Sequence, residues 1–287
     1  MKKFKKIAAL ALAGCMLIAL AACSGGAAPG TSAAPGTSTA AGSTELDRIK
    51  EDGKIIMLTN AGFPPFEYLG DDNKPAGVDV DIANEIAKSL GVELEVVDMD
   101  FDGLINALAS GKGDFIAAGF SITEERQKSV DFSVEYASSS QYVVMPQSAA
   151  YETLEDLKGK RIGVQLGTTG DYFITDAING TDDDKGVHTP GALEGSGATV
   201  DGYKTALEAA LDLNAGRLDA VVIDALPAQI IAEKNALKVS AQAISDQEKY
   251  AYAVNKGNTE LLNAINDTLN KMIQDGTVDE LIKTHTK

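Results

Sequence analysis

The stretch Lys54–Thr59 reads KIIMLT, 79–90 reads DVDIANEIAKSL, 93–97 reads ELEVV, 102–110 reads DGLINALAS and 114–118 reads DFIAA. KIIMLT is a short apolar run of strand length. In the next piece Ile82, Ile86 and Leu90 recur at i, i+4 and i+8 with Ala83 and Ala87 beside them. That spacing makes one apolar helix face, and Gly91 stops it. ELEVV reads as a second strand, 102–110 as a helix and 114–118 as a third strand. A β-α-β-α-β alternation of this kind predicts an α/β fold with a mostly parallel sheet and helices on both faces.

A second run starts at Tyr142. Strand 142–145 leads to a short helix with Thr153 as N-cap and Gly159 as its stop, followed by the strand Arg161–Gln165, a Gly/Thr loop and a helix from about Asp171. Residues 204–214 are Ala/Leu-rich and helical, Gly216 ends them, and 218–223 is a strand leading to Asp224. The layout repeats the first unit without a residue-level repeat. Between them 179–200, with Asp182 to Asp184 and five glycines, reads as a mobile surface loop. Residues 259–275 form a long amphipathic helix striped by Leu261, Leu262, Ile265, Leu269 and Met272.

The whole chain has 287 residues, which fits two lobes of roughly 100 to 150. With 25 Lys+Arg against 42 Asp+Glu the net charge is −17, and so acidic a surface argues against nucleic acid as a partner. Two histidines, His188 and His285, cannot build a His-based metal cluster and read as solvated surface residues. No metal and no cofactor are expected. The phosphate loop G-x-x-x-x-G-K-[ST], H-E-x-x-H and G-x-S-x-G do not occur.

The first residues read as an address. Lys2, Lys3, Lys5 and Lys6 precede an apolar run, 7–20, too short to span a bilayer comfortably. The run ends in Leu20-Ala21-Ala22-Cys23, which resembles the lipobox of bacterial lipoproteins. Leu12-Ala13-Gly14-Cys15 fits that pattern too, but cleavage there would leave apolar Met16 to Ala22 on the mature end. The expectation is a signal over 1–22, lipidation at Cys23, and a flexible tether over 23–44, where 24–44 contains only Ser, Gly, Ala, Pro and Thr. Removing the signal leaves 21 basic and 42 acidic residues, a body of about −21 placed outside the cell, either on the outer face of the membrane or in a periplasm.

Several segments taken together are specific. Gly77-Val78-Asp79-Val80-Asp81-Ile82, running on to Leu90, resembles the motif of the family 3 extracellular solute-binding proteins, the amino-acid receptors of ABC importers. Val78 departs mildly from the aromatic, Ile or Leu usual there. In order follow Phe63-Pro64-Pro65-Phe66-Glu67-Tyr68 as the entry loop and Phe101-Asp102-Gly103-Leu104 as the second aromatic segment. Ser121-Ile122-Thr123-Glu124-Glu125-Arg126 with Val130-Asp131-Phe132-Ser133 is similar to the S-I-T-x-E-R…D-F-S block. Gly163 to Gly170 resembles the second-lobe loop, and Asp219 to Asp224 the last binding strand.

The resemblance implies a type II periplasmic-binding-protein-like fold, each lobe a mixed, mostly parallel sheet. It places the first lobe at 45–135 plus 250–287 and the second at 141–244, with hinge crossings near 136–140 and 245–249. Carried across by position, it implies Phe63 and Phe101 flanking a ligand side chain, and Ser121, Arg126 and the backbone near Gly119 holding a carboxylate. Thr168 and Thr169 add donors, and Asp224 holds an ammonium. The residues support this on their own terms, since a free amino acid needs a planar bidentate donor and one buried carboxylate. Other roles stay open: Ser121 with Glu124 also fits a capping box, Asp224 an N-cap, Phe63 and Phe101 plain core.

Family members that bind basic amino acids or glutamine often carry Asp at the position of Asn60. Asn there favours a neutral polar amino acid, with Gln165 and Ile223 also facing its side chain. Lobe closure, delivery to an ABC permease by a monomeric receptor held at the membrane by its lipid, and no catalysis complete the expectation. Two alternatives use the same fold: a dehydratase of the cyclohexadienyl type, and a sensory partner of a membrane receptor.

Overall fold

The computed structural model describes residues 44–287. The expected signal, the expected lipidation at Cys23 and the expected tether up to residue 43 lie outside the described residues. Thr44, expected in the tether, belongs to the fold: it caps helix Glu45–Asp52 by a reciprocal capping box with Asp47. Leu46 and Ile49 turn that helix onto the first-lobe core.

Two five-stranded sheets form the two lobes. In the first, Lys54–Thr59 pairs in parallel with Glu93–Asp98 on one side and Phe115–Ile116 on the other. Ala253–Asn255 then adds antiparallel, and Val130–Phe132 closes the edge. In the second, Arg161–Gln165 lies parallel between Thr199–Tyr203 and Ala220–Asp224. Gln141–Met145 adds antiparallel, with Lys238–Val239 at the edge. Each sheet thus reverses one strand, and in each lobe it is the strand that follows directly on a passage from the other lobe.

Those passages are themselves paired. Ala137–Ser139 runs antiparallel to Glu248–Tyr250, with Ser139 opposite Glu248 and Ala137 opposite Tyr250. A short two-stranded ribbon therefore joins the lobes.

The helices form where the apolar spacing asks for them. Val78–Leu90 buries Ile82, Ala83, Ile86 and Ala87 and ends on Gly91 in the left-handed conformation. Thr259–Gln274 buries Leu261, Ile265, Leu269 and Met272 against it. Burying side chains of this size contributes about 1.5–3 kcal/mol each.

Some local expectations change. The helix expected over 102–110 splits into a 3-10 turn, Phe101–Gly103, and a short helix, Leu104–Ala109. The segment 179–200 is not a plain loop: Thr181–Asp182 pairs with His188–Thr189, and Leu193 is buried, its N–H bonded to Ala177 O at 2.7 Å. His285 is not a solvated residue either. Its ring bridges Tyr68 Oη and Asp81 Oδ2, both at 2.8 Å, and pins the last helix to the first lobe. His188 is exposed as expected, held between Asp182 and Glu194, and their carboxylates raise its pKa.

Candidate ligand-binding site

The C-terminal ends of the central strands of both sheets face one another, the place where open α/β sheets take ligands. A small cavity there is lined by Phe63, Phe101, Gly119, Ser121, Arg126, Gln165, Thr168, Thr169 and Asp224, together with Ala118. Asn60 stands one step behind, its Oδ1 accepting from Gln165 Nε2 at 2.8 Å. Ile223 is buried in the core and does not line the cavity. A groove of about 610 Å³ opens alongside; it shares Phe101, Arg126 and Thr169 with the cavity and adds Gly167.

Arg126 sits in the one-turn helix Glu124–Gln127. The helix cap is Thr123, whose Oγ1 accepts from Arg126 N, so the Ser121–Glu124 capping box does not form and Ser121 is free for the cavity. Arg126 as a whole is only 6% exposed. It donates to Ser121 O at 2.8 Å and, across the cleft, to Gly167 O at 3.1 Å. Its plane lies 4.1 Å above the Phe120 ring centroid, with Phe101 at 5.4 Å, contacts that stabilise a desolvated cation. Burial lowers its pKa to about 10, so it stays charged at neutral pH.

Asp224 closes the second-lobe strand Ala220–Asp224 and starts helix Ala225–Lys234, yet its side chain makes no capping bond. The carboxylate turns into the cavity instead, where Tyr250 Oη donates to Oδ1 and Gln141 Nε2 to Oδ2. Burial, with Glu248 nearby, raises its pKa to about 6. A buried carboxylate in this state gains most from a cation placed against it.

Thr168 caps helix Thr169–Asn179, accepting from Asp171 N and donating to Gln165 O. Thr169 Oγ1 donates to Glu248 Oε2 at 2.6 Å. Gly167 has φ +75°, and a Cβ on it would stand 2.8 Å from Asp102 of the other lobe, so only glycine allows this approach. Gly119, at φ +52°, is crowded in the same way, by Phe63 at 2.7 Å.

At the far end, Asn60 Nδ2 donates to Met99 O at 2.7 Å, which orients Oδ1 toward Gln165. Gln165 Oε1 is buried without a partner. The cavity therefore offers a cation at one wall, a carboxylate at another, aromatic rings between and an uncharged acceptor at the end.

Three contributors escaped the sequence reading: Gln141, Glu248 and Tyr250. Gln141 is the first residue past one passage and the other two lie on the return strand. Nothing local marks them, because their approach to Asp224 follows from the pairing of Ala137–Ser139 with Glu248–Tyr250.

A family model described as bacterial extracellular solute-binding proteins, family 3, matches residues 55–287. The L-cystine-binding protein TcyJ of Escherichia coli (strain K12) is 33% identical over 240 residues, 82% of this chain and 84% of that protein. Among solved structures, an arginine-bound variant of ArgBP from T. maritima is 39% identical, with a TM-score of 0.70 over 79% of this chain and 99% of its own. An ancestral amino acid-binding protein, AncCDT-1, described as a precursor of cyclohexadienyl dehydratase, is 32% identical, with a TM-score of 0.74 over 84% and 99%. A match across nearly the whole described body, on a fold with two sheets facing one cavity, identifies this chain as a member of the bacterial extracellular solute-binding proteins, family 3.

Proposed function

We propose that this protein captures a free amino acid between its lobes and delivers it to an ABC permease. The observation that carries the reading is the placing of Arg126 and Asp224, one from each lobe and both buried, on one cavity. An amino acid carries a carboxylate and an ammonium on one carbon, and those two side chains match them. Ser121, Gly119, Thr168 and Thr169 complete the polar wall, and Phe63 and Phe101 sandwich the ligand's side chain.

The side chain points to Gln165 and Asn60. An uncharged end with a free acceptor at Gln165 Oε1 suits a neutral polar side chain with an N–H or O–H donor. Lobe 45–135 plus 250–287 and lobe 141–244 close by bending at the paired passages, near 136–140 and 245–249. Both lobes bind the ligand, so its binding energy favours the closed form. Cys23 carries the lipid that holds a monomeric body near its permease, on the outer membrane face or in a periplasm.

Binding without turnover is the reading for Asp224. Although its pKa suits a general acid, both of its oxygens already accept hydrogen bonds that fix it as a cation acceptor.

A thermal-shift screen against the twenty amino acids, prephenate and simple sugars, repeated with Arg126→Ala, tests this. A neutral polar amino acid is expected to give the largest shift, lost in the variant. A larger shift with arginine would sink the side-chain reading but leave the amino-acid reading standing. No shift with any amino acid, or prephenate turnover, would sink both.

A further inference from the structure

The first lobe buries two acids that ligand capture does not use. Glu67 and Asp79 are both fully buried. Both oxygens of Glu67 and Oδ1 of Asp79 have no hydrogen-bond partner, and among the described residues neither acid forms a salt bridge. Asp79 Oδ2 accepts the N–H of Gly119 at 2.8 Å. Asp79 N donates to Phe66 O at 2.9 Å, so the start of helix Val78–Leu90 is bonded to the segment that carries Glu67 and brings the two buried acids together.

An isolated buried carboxylate costs several kcal/mol, and a second beside it adds like-charge repulsion. One proton between them relieves both. Glu67 then donates to Asp79 and a single negative charge remains. That charge is better placed on Asp79, which has the Gly119 N–H and lies in the first turn of helix Val78–Leu90, at the positive end of its dipole.

We propose that Glu67 and Asp79 share one proton and act together as positioning residues, setting from behind the Gly119 peptide that lines the ligand cavity. The pair also touches both passages between the lobes. Tyr252, just past the return strand, donates its hydroxyl to Asp79 O at 3.0 Å, and Tyr136, just before the outgoing strand, buries its hydroxyl beside the pair. Those hydroxyls face the pair directly, and Asp98 and Asp224 are the further carboxylates that act on Glu67. Burial and the neighbouring Asp79 hold Glu67 well above the usual carboxylate range, and burial raises Asp79 to about 6.

The link to binding rests on the amino-acid reading above; the shared proton does not. In ligand-free protein at neutral pH, infrared difference spectra are expected to show the C=O stretch of a protonated carboxylic acid, absent in Glu67→Gln. No such band in wild type, or an unchanged band in Glu67→Gln, overturns the shared proton. By NMR, the Gly119 amide is expected to keep its position and exchange protection in Glu67→Gln, which still offers a donor, and to lose protection about tenfold or more in Asp79→Asn. An unaltered Gly119 amide in Asp79→Asn overturns the positioning role. Titration with the one of the twenty amino acids that stabilises wild type most, L-glutamine being the first probe, is expected to weaken about tenfold in Asp79→Asn and less than about threefold in Glu67→Gln. Equal affinity in all three overturns the positioning role as well. If none of the twenty amino acids binds wild type, the amino-acid reading fails while the infrared result still decides the proton pair, and that result also stands if Asp79→Asn does not fold.

Discussion

The two lobes share a sheet plan and differ in chemistry. Both set a central parallel strand between two parallel neighbours and then add one reversed strand. Yet the first lobe brings the cation and the rings, Arg126, Phe63 and Phe101, while the second brings the carboxylate and hydroxyls, Asp224, Thr168 and Thr169. A repeated fold has been given opposite charges at corresponding ends, so function resides in the loops and not in the plan. Either lobe alone matches half of a zwitterion. Hydrogen bonds that cross the cleft include Arg126 to Gly167 O, Gln165 to Asn60, and Lys204 to Asp100.

That division can be broken one lobe at a time. The largest effect is expected from the first lobe's charge: Arg126→Ala should raise Kd about a hundredfold or more by calorimetry, because truncating a buried charged partner costs about 2–5 kcal/mol. Retained affinity would mean that the first lobe does not hold the carboxylate.

Next comes its counterpart. Asp224→Asn should weaken binding about tenfold to a hundredfold and also alter the pH profile. With a folded pKa of about 6 against an ordinary 3.8, Asp224 binds its proton more tightly when folded. Its contribution to ligand-free stability is therefore full below about pH 4 and lost as pH rises through about 6, and Asp79 acts in the same direction. Melting measured from pH 4 to 7 should fall less in Asp224→Asn than in wild type. Ligand binding needs the ionised form, so wild-type affinity should drop as pH falls below about 6, while Asp224→Asn stays flat. Matching profiles would remove Asp224 from the ammonium.

Asn60→Asp should then shift preference toward cationic amino acids by about tenfold, read as a ratio of affinities, because it places a charge beside Gln165. An unchanged ratio would show that this end does not sense the side chain. The smallest effect belongs to Lys204→Ala. Its bond to Asp100 is exposed, and such pairs contribute about 1 kcal/mol at most, so Kd should change by less than about fivefold. A larger loss would make the rim, and not the buried pair, the main closing contact.

Much of the site was legible because its residues sit in local motifs at strand ends. Nine of the eleven expected residues line one cavity, Asn60 supports Gln165 from behind, and Ile223 lies in the core. Where two local roles competed, only the fold chose between them. Asp224 stands where an N-cap would and declines the role, because Tyr250 and Gln141 already engage its carboxylate. Ser121 gives up the cap to Thr123, whose Oγ1 is the one that reaches Arg126 N. Leu193 and His285 were misread as surface residues for a related cause: their burial depends on segments far away in the chain.

From sequence alone followed the α/β alternation, the family, and Arg126 and Asp224 as candidates of opposite charge. These rest on periodicity, on glycine stops and on motifs a few residues long, all of which are local. Tertiary structure alone decided that Gln141 and Tyr250 reach Asp224, with Glu248 bonded to Gln141, and that Asp79 holds the Gly119 N–H with Glu67 buried beside it. Those meetings join residues from a dozen to more than a hundred positions apart. They depend on strand register and on which groups lose water together, and neither is written in any short stretch of the chain.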